Sequence, residues 1–303
     1  MKKRRIILVL LLIFAGLAAP FVYIRISEFR ENQAFLEKKR ASFGKLAEDL
    51  HKEAADFEGE ASVIVRDLDN GLEIAIKQDE RLPSASLAKV PIMSACFYAA
   101  REQRVDLLEK LRLRAGDIVY GSGLLKHESP GKELTVEELL ELMISESDNT
   151  ATNMLIDRIG FAYLNGTFKT LGLEDTNVDR HMMDFRSRKK GIENFTSAKD
   201  IAKLLQEIYK QNLVDKEYSC KALELLKRQK SNDRIPAKLP EDVVIAHKTG
   251  LERTVCHDAG VVFTEKGDFV ICVLTKHNGN GSGKAKEFIS NVALLTYNCY
   301  QSF

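Results

Sequence analysis

Net charge is almost absent: 45 lysines and arginines face 44 aspartates and glutamates, leaving +1 over 303 residues. That balance gives no electrostatic support to a nucleic-acid partner. Histidine is scarce. His51, His127, His181, His247, His257 and His277 never fall in the H-x-x-x-H or H-x-H spacings of a metal site. Cys96, Cys220, Cys256, Cys272 and Cys299 lack C-x-x-C spacing, so no metal or other cofactor is expected. Five cysteines is an odd number for an exported protein. One or two disulfides are open to it, in pairings that sequence alone does not fix. Cys96 and Cys272 sit in apolar runs and read as core residues. There is no repeat and no low-complexity tract. What remains is a globular chain long enough to bury a sizeable core, as one large domain or two small ones.

The N-terminus breaks this evenness. Lys2, Lys3, Arg4 and Arg5 precede an uncharged stretch from Ile6 to Ile24, which Arg25 ends. At about twenty residues it is long enough to span a bilayer. The basic flank favours a cytoplasmic N-terminus, with the rest of the chain outside the membrane. The competing reading is a cleaved signal peptide and a secreted product, with Gly16 and Ala18 as the small residues before the cut. Pro20 disfavours cleavage after Ala19, and the apolar run continues through Phe21, Val22, Tyr23 and Ile24. An uncleaved anchor over residues 1–25, in the cell envelope, is therefore expected. No cysteine follows closely, which excludes a lipoprotein anchor.

Residues 26–58 are highly charged and read as a stalk and a first helix, the helix running from about Ser42 to Ala55. Residues 59–303 read as the main domain. Ser62 to Leu68 and Leu72 to Lys77 predict two strands around Asp69-Asn70-Gly71, since Asn-Gly suits positive φ angles. Leu87 to Arg101 is apolar nearly all round and predicts a buried helix. Further helices are predicted at Val136 to Ile144, Thr150 to Ile159, Ser197 to Gln211, Lys216 to Gln229 and Lys284 to Cys299. Three antiparallel strands are predicted at Val243 to Lys248, Ala259 to Thr264 and Phe269 to Thr275, with His257-Asp258 on a turn. Strands at both ends with helices between them indicate an α+β fold, helices packed on an antiparallel sheet.

Three short elements carry chemistry. Ser86-Leu87-Ala88-Lys89 is an S-x-x-K tetrad at the start of the predicted buried helix. Lys89 lies about one turn after Ser86 and among apolar neighbours, where a lysine loses its proton more easily. Such a base is what a serine hydroxyl needs to become a nucleophile. Alone the tetrad is weak: Ser42 and Lys45 form a second one with no matching context, and Ser86 could simply cap the helix. Ser147-Asp148-Asn149 lies between two predicted helices. Ser147 could relay a proton to a leaving group, and Asn149 could hydrogen-bond a substrate carbonyl. Asp148 reads as a residue that pins the turn. The plain alternative is again a cap. Lys248-Thr249-Gly250 ends a predicted strand. Lys248 would attract a carboxylate, Thr249 would hydrogen-bond it, and Gly250 would let a substrate backbone approach. The conjunction, in this order, outweighs the plain readings.

The stretch from about Ala61 to Cys299 resembles the class A β-lactamase branch of the serine penicillin-recognising hydrolases, which carry these three motifs. Pro83 to Lys89, Thr135 to Leu140 with Ser147 to Asn153, and His247 to Gly250 carry the resemblance. It implies a β-lactamase/transpeptidase-like fold, an antiparallel sheet packed by helices plus an all-helical subdomain. It implies Ser86 as nucleophile, Lys89 and Ser147 as proton carriers, and a substrate cleft with Asn149, Lys248, Thr249 and Gly250. An oxyanion hole is implied at the N–H groups of Ser86 and Leu251. Tyr120, ahead of Gly121-Ser122-Gly123, takes the place of the aromatic rim residue, or is a surface tyrosine in a loop. One departure matters. The family's Asp-Arg-x-Glu becomes Asp179-Arg180-His181-Met182, and a thioether is no base at neutral pH. His181, Asp184 and Glu193 are the nearby substitutes. Arg186, Arg188, Lys189 and Lys190 form a basic run that is either a solvated face or an aid to an anionic substrate.

The expectation is an exported or tethered monomer. It would cleave a β-lactam ring or a D-Ala-type peptide through an acyl-enzyme on Ser86, with deacylation in doubt. Alternatives are a D-Ala-D-Ala carboxypeptidase, a penicillin-binding sensor without turnover, and a structural envelope protein.

Overall fold

The computed structural model describes residues 23–303 and, of residues 2–22, only their helical backbone, so the expected N-terminal span lies outside the fully described residues save for Tyr23 and Ile24. No helix among the described residues is long and apolar enough to cross a membrane. Helix α1 (Lys2–Asp56) leads into strands β1 (Glu60–Asp67) and β2 (Glu73–Ile76), then the short β3 (Leu82–Pro83) and helix α2 (Lys89–Arg101). A middle section follows: β4 (Lys110–Arg112), β5 (Glu133–Thr135), α3 (Val136–Ser145), α4 (Asn149–Ile159), α5 (Phe161–Thr170), α6 (Phe185–Lys189), β6 (Phe195–Thr196), α7 (Ala198–Tyr209) and α8 (Lys216–Lys227). The chain closes with β7 (Ile245–Glu252), β8 (Val255–Val262), β9 (Phe269–Lys276) and α9 (Ser282–Gln301).

The α+β reading holds. Five strands form one sheet in the order β2-β1-β9-β8-β7, every pair antiparallel. Successive side chains of a strand face opposite ways, and here both faces are covered. Val63, Val65, Ile271 and Val273 turn toward Phe43, Leu46 and Leu50 of α1 and Phe288, Ile289 and Val292 of α9. Ile64, Val270, Cys272 and Leu274 turn to the opposite core, built with α2, α3, α4 and α7. Double coverage explains why these strands read as unbroken apolar runs. Strand β7 is a sheet edge, and its free side is where the cleft lies.

Several boundaries differ from the sequence expectation. The partly helical stalk expected to run into a first helix is helical throughout, one helix α1, whose Lys39 is buried against the domain. Strand β7 runs through Lys248-Thr249-Gly250 to Glu252 instead of ending there, and β8 starts at Val255, so His257 and Asp258 lie inside a strand and not on a turn. Their side chains are fully buried among polar partners, which a hydropathy pattern cannot anticipate. Helix α5 has no counterpart in the sequence reading. Its Gly166 and two threonines are poor helix formers, but burial of Leu164, Thr167 and Phe168 holds it. The open possibility of disulfides is not realised: all five cysteines are free, with Cys96, Cys256 and Cys272 buried and Cys220 exposed.

Candidate active site

Ser86 lies in a single 3-10 turn, Ala85–Ala88, that runs into α2. The turn is held from two sides. Gly250 of β7 faces it closely: a Cβ there would lie 3.3 Å from the Ser84 carbonyl oxygen and 3.4 Å from the Ala85 Cβ. His257 of β8 donates from Nε2 to the Pro83 carbonyl at 2.9 Å and accepts the Thr275 N–H on Nδ1 at 3.1 Å. Burial pushes the pKa of this imidazole down to about 4, so it is neutral and its tautomer is set by those partners. Ala85 has φ +45° and Ser147 has φ +53°. A left-handed non-glycine residue costs of order 1–3 kcal/mol; one of the two precedes Ser86 and the other opens the Ser147-Asp148-Asn149 turn.

Asp148 fixes the second motif. Its carboxylate accepts the N–H groups of Leu124 at 2.6 Å, Leu125 at 2.8 Å and Ala151 at 2.9 Å, capping α4 and holding the Gly121–Gly123 loop. Gly123, at φ +113°, has no room for a side chain because a Cβ would lie 2.3 Å from the Asp148 carboxyl carbon. The capped turn presents Ser147 to two lysines. Lys89 Nζ donates to the Ser147 carbonyl oxygen at 2.6 Å, to Ser147 Oγ at 3.1 Å and to Asn149 Oδ1 at 2.9 Å. Lys248 Nζ donates to the same Ser147 Oγ at 3.0 Å and to the Thr249 carbonyl oxygen at 3.0 Å.

Both lysines are fully buried, and among the described residues neither has an ion-pair partner. Burial, reinforced by the charge of Lys248, drives Lys89 well below the ordinary lysine range, against a weaker pull from Asp148. Burial also lowers Lys248, to about 7, with Asp258 opposing and Arg234 assisting. The structure thus gathers Ser147, Asn149, Lys89 and Lys248 into one hydrogen-bonded group. A cavity of about 640 Å³ opens beside it, lined among others by Ser86, Ser147, Asn149, Thr249 and Leu251. Tyr120 is not part of that lining. The residue is 86% exposed, while its carbonyl oxygen accepts from Asn149 Nδ2 at 3.4 Å.

Met182 lines the cavity and is buried. Asn153 grips its backbone from both sides, accepting its N–H at 2.8 Å and donating to its carbonyl at 3.1 Å. The three nearby substitutes point elsewhere. His181 pairs with Asp157 at 2.8 Å. Asp184 caps α6, and its hydrogen bonds from Ser187 hold its carboxyl below the usual range. Glu193 is paired to Arg180 at 2.6 Å and to Arg188 at 2.9 Å. Of the basic run, Arg186, Lys189 and Lys190 are exposed.

Sequence reasoning missed Asn153, Ser122 and Arg234. Asn153 follows Asn149 by four residues, so helical spacing could have placed it on the same face. Ser122 donates to the Ser147 carbonyl at 2.7 Å. Arg234 is buried in the cleft wall, donating from Nε to the Cys256 sulfur at 3.2 Å and pairing with Asp233 at 2.9 Å. It comes from a polar coil with no local pattern, and only the tertiary fold brings it near Lys248.

Comparison with known proteins agrees with this geometry. The sequence pattern of the beta-lactamase enzyme family matches residues 45–300. The carbapenem-hydrolyzing beta-lactamase KPC of Klebsiella oxytoca is 26% identical over 262 residues, 82% of this chain and 87% of that protein. The solved structure of PBP-A is 32% identical, with a TM-score of 0.79 over 86% of this chain and 97% of that one. A leucine-to-glutamate mutant of PBP-A, solved as an acyl-enzyme complex with penicillin G, matches with the same identity, coverage and TM-score. Matched length, motif order and architecture agree, and the chain belongs to the beta-lactamase enzyme family as a class A β-lactamase-like serine enzyme.

Proposed function

We propose that this chain is acylated on Ser86 by a β-lactam or a peptide ending in D-Ala, and that the resulting ester is hydrolysed slowly. The observation that carries the reading is Ser147 Oγ, held between Lys89 at 3.1 Å and Lys248 at 3.0 Å beside a cleft that Ser86 lines. Neutral Lys89 takes the Ser86 hydroxyl proton as Oγ attacks the amide carbonyl carbon. The N–H groups of Ser86 and Leu251 receive the developing oxyanion. When the C–N bond breaks, the leaving nitrogen takes a proton from Ser147 Oγ, which Lys89 replenishes, so the lysine ends neutral again. Charged Lys248, with Thr249 and Arg234, attracts the substrate carboxylate.

Hydrolysis of the ester needs a base for water, and the loop offers Met182. Loss of such a base costs about 10²–10⁴-fold. The PBP-A acyl-enzyme with penicillin G supports the first step by analogy. We place the domain outside the membrane, held by the N-terminal segment. The test is intact-mass spectrometry over time with benzylpenicillin. An adduct that persists for hours and is absent in Ser86→Ala is expected. Unmodified protein with the antibiotic consumed would point to an unrecognised base. The absence of both adduct and consumption would overturn the β-lactam reading.

A further inference from the structure

The loop wall and the β7 wall of the cleft meet through charge. Glu252, the last residue of β7, reaches across to two arginines of the loop, Arg188 at 2.5 Å and Arg180 at 3.3 Å. The same arginines share Glu193, but that carboxylate belongs to the loop itself and also accepts the Asn194 N–H at 2.9 Å. Arg180, Arg188 and Glu252 all line the cavity that Ser86 lines, and Arg180 is 4% exposed. Glu193 therefore satisfies the loop from behind, while Glu252 occupies the cleft side of the guanidinium pair. It sits next to Leu251, whose N–H faces the reacting carbonyl in the proposed reaction. Without Glu252 two guanidiniums would share one carboxylate, leaving a positive charge facing the acyl half of a bound substrate.

We propose that Glu252 is a specificity residue: it fills an anion seat on the acyl side of the cleft and so selects against substrates whose acyl side chain carries its own carboxylate. The inference rests on the acylation reading and adds the substrate class. A wild-type substrate would have an uncharged acyl side chain near the scissile amide. An acidic one must displace Glu252 from Arg188 and Arg180, and charge-assisted pairs of this kind are the strong ones.

The test uses two penicillins that differ by one carboxylate, benzylpenicillin and carbenicillin. Their second-order acylation rate constants are read by intact mass on wild type and variants. Glu252→Gln is expected to raise the carbenicillin-to-benzylpenicillin ratio by about tenfold or more. Glu252→Asp should stay near the wild-type ratio, and Arg188→Gln combined with Glu252→Gln should lose the gain. Arg188→Gln alone, which leaves Glu252 less compensated, should shift the ratio the opposite way. General loosening of the loop would slow both penicillins together and leave the ratio where it was. A ratio unchanged in both Glu252→Gln and Arg188→Gln overturns the inference while the acylation reading stands. No benzylpenicillin adduct on wild type overturns the acylation reading and this inference with it.

Discussion

Lys39, Lys89 and Lys248 are all fully buried, and the structure uses them in two opposite ways. Lys39, on α1, meets a carboxylate: it pairs with Asp67 at the end of β1. Asp67 also accepts the Tyr300 hydroxyl at 2.6 Å and the Asn70 N–H at 2.6 Å. The rings of Tyr300 and Phe303 lie 5.0 and 5.2 Å from the Lys39 ammonium, a favourable cation–π arrangement. Lys89 and Lys248 meet only uncharged oxygens, those of Ser147, Asn149 and Thr249. A buried lysine with an anion ties elements together, as Lys39 ties α1 to β1. A buried lysine without one is driven toward its neutral form, which is the form that can act as a base. Burial is the same in both regions, and the missing carboxylate is what separates them.

The contrast can be broken most directly at Lys89. Lys89→Met keeps the volume and removes the base, so acylation by benzylpenicillin should fall by about 10²–10⁴-fold, with the urea midpoint little changed. A mutant that labels at the wild-type rate would remove Lys89 from the chemistry. Lys39→Met should do the reverse. It leaves Asp67 buried without its partner, which costs about 3–5 kcal/mol of stability, while the acylation rate of the folded fraction is preserved. Adding Asp67→Asn should recover part of that loss, as equilibrium unfolding would show. Next in size, Met182→Glu should speed release of the penicilloyl group by about a hundredfold, leaving acylation to Lys89. An unchanged release rate in a deacylation assay would mean that the loop does not position water.

The last effect, about tenfold for one pH unit, is in pH dependence. Lys248 loses its charge as pH rises through about 7, so substrate capture should fall about tenfold per pH unit above that point. Its stability contribution has the same window with the opposite sign. Between about 7 and 10 the unfolded chain holds this proton and the folded chain does not, so stability gains as pH rises. Asp67 behaves the other way. Burial opposes its ionisation, but Lys39, Tyr300 and the Asn70 N–H outweigh that and hold its carboxyl below the usual range. Its contribution is present at neutral pH and is lost only as pH falls below about 4. Acylation rates and unfolding midpoints measured across pH 3 to 10 separate the two behaviours.

Much of this was legible in the sequence because it is local. The strand pair around Asn70-Gly71, the helix after Ser86 and the S-D-N turn each rest on neighbours within a few residues. Asp148 was read as a turn residue, and it caps α4. The pairings that give the site its character are non-local. Nothing near Glu252 announces that Arg180 and Arg188 will lie across from it, and nothing near Lys39 announces Asp67. His257 and Asp258 were set on a turn because polar residues in an apolar strand violate the pattern. They do so because buried partners, Pro83 and Thr275 for one and His247 for the other, wait on adjacent segments.

A consequence of α1 concerns direction. From the exposed Tyr23 to the fastened Lys39, sixteen residues of helix cover roughly 24 Å at the rise per residue of an α-helix. A flexible linker of that length has a similar r.m.s. span, roughly 20–24 Å. Reach is therefore not what the helix provides. A linker would let Tyr23 sample every direction relative to the cleft, whereas a helix bolted to the sheet through Lys39 and Asp67 holds it at one bearing.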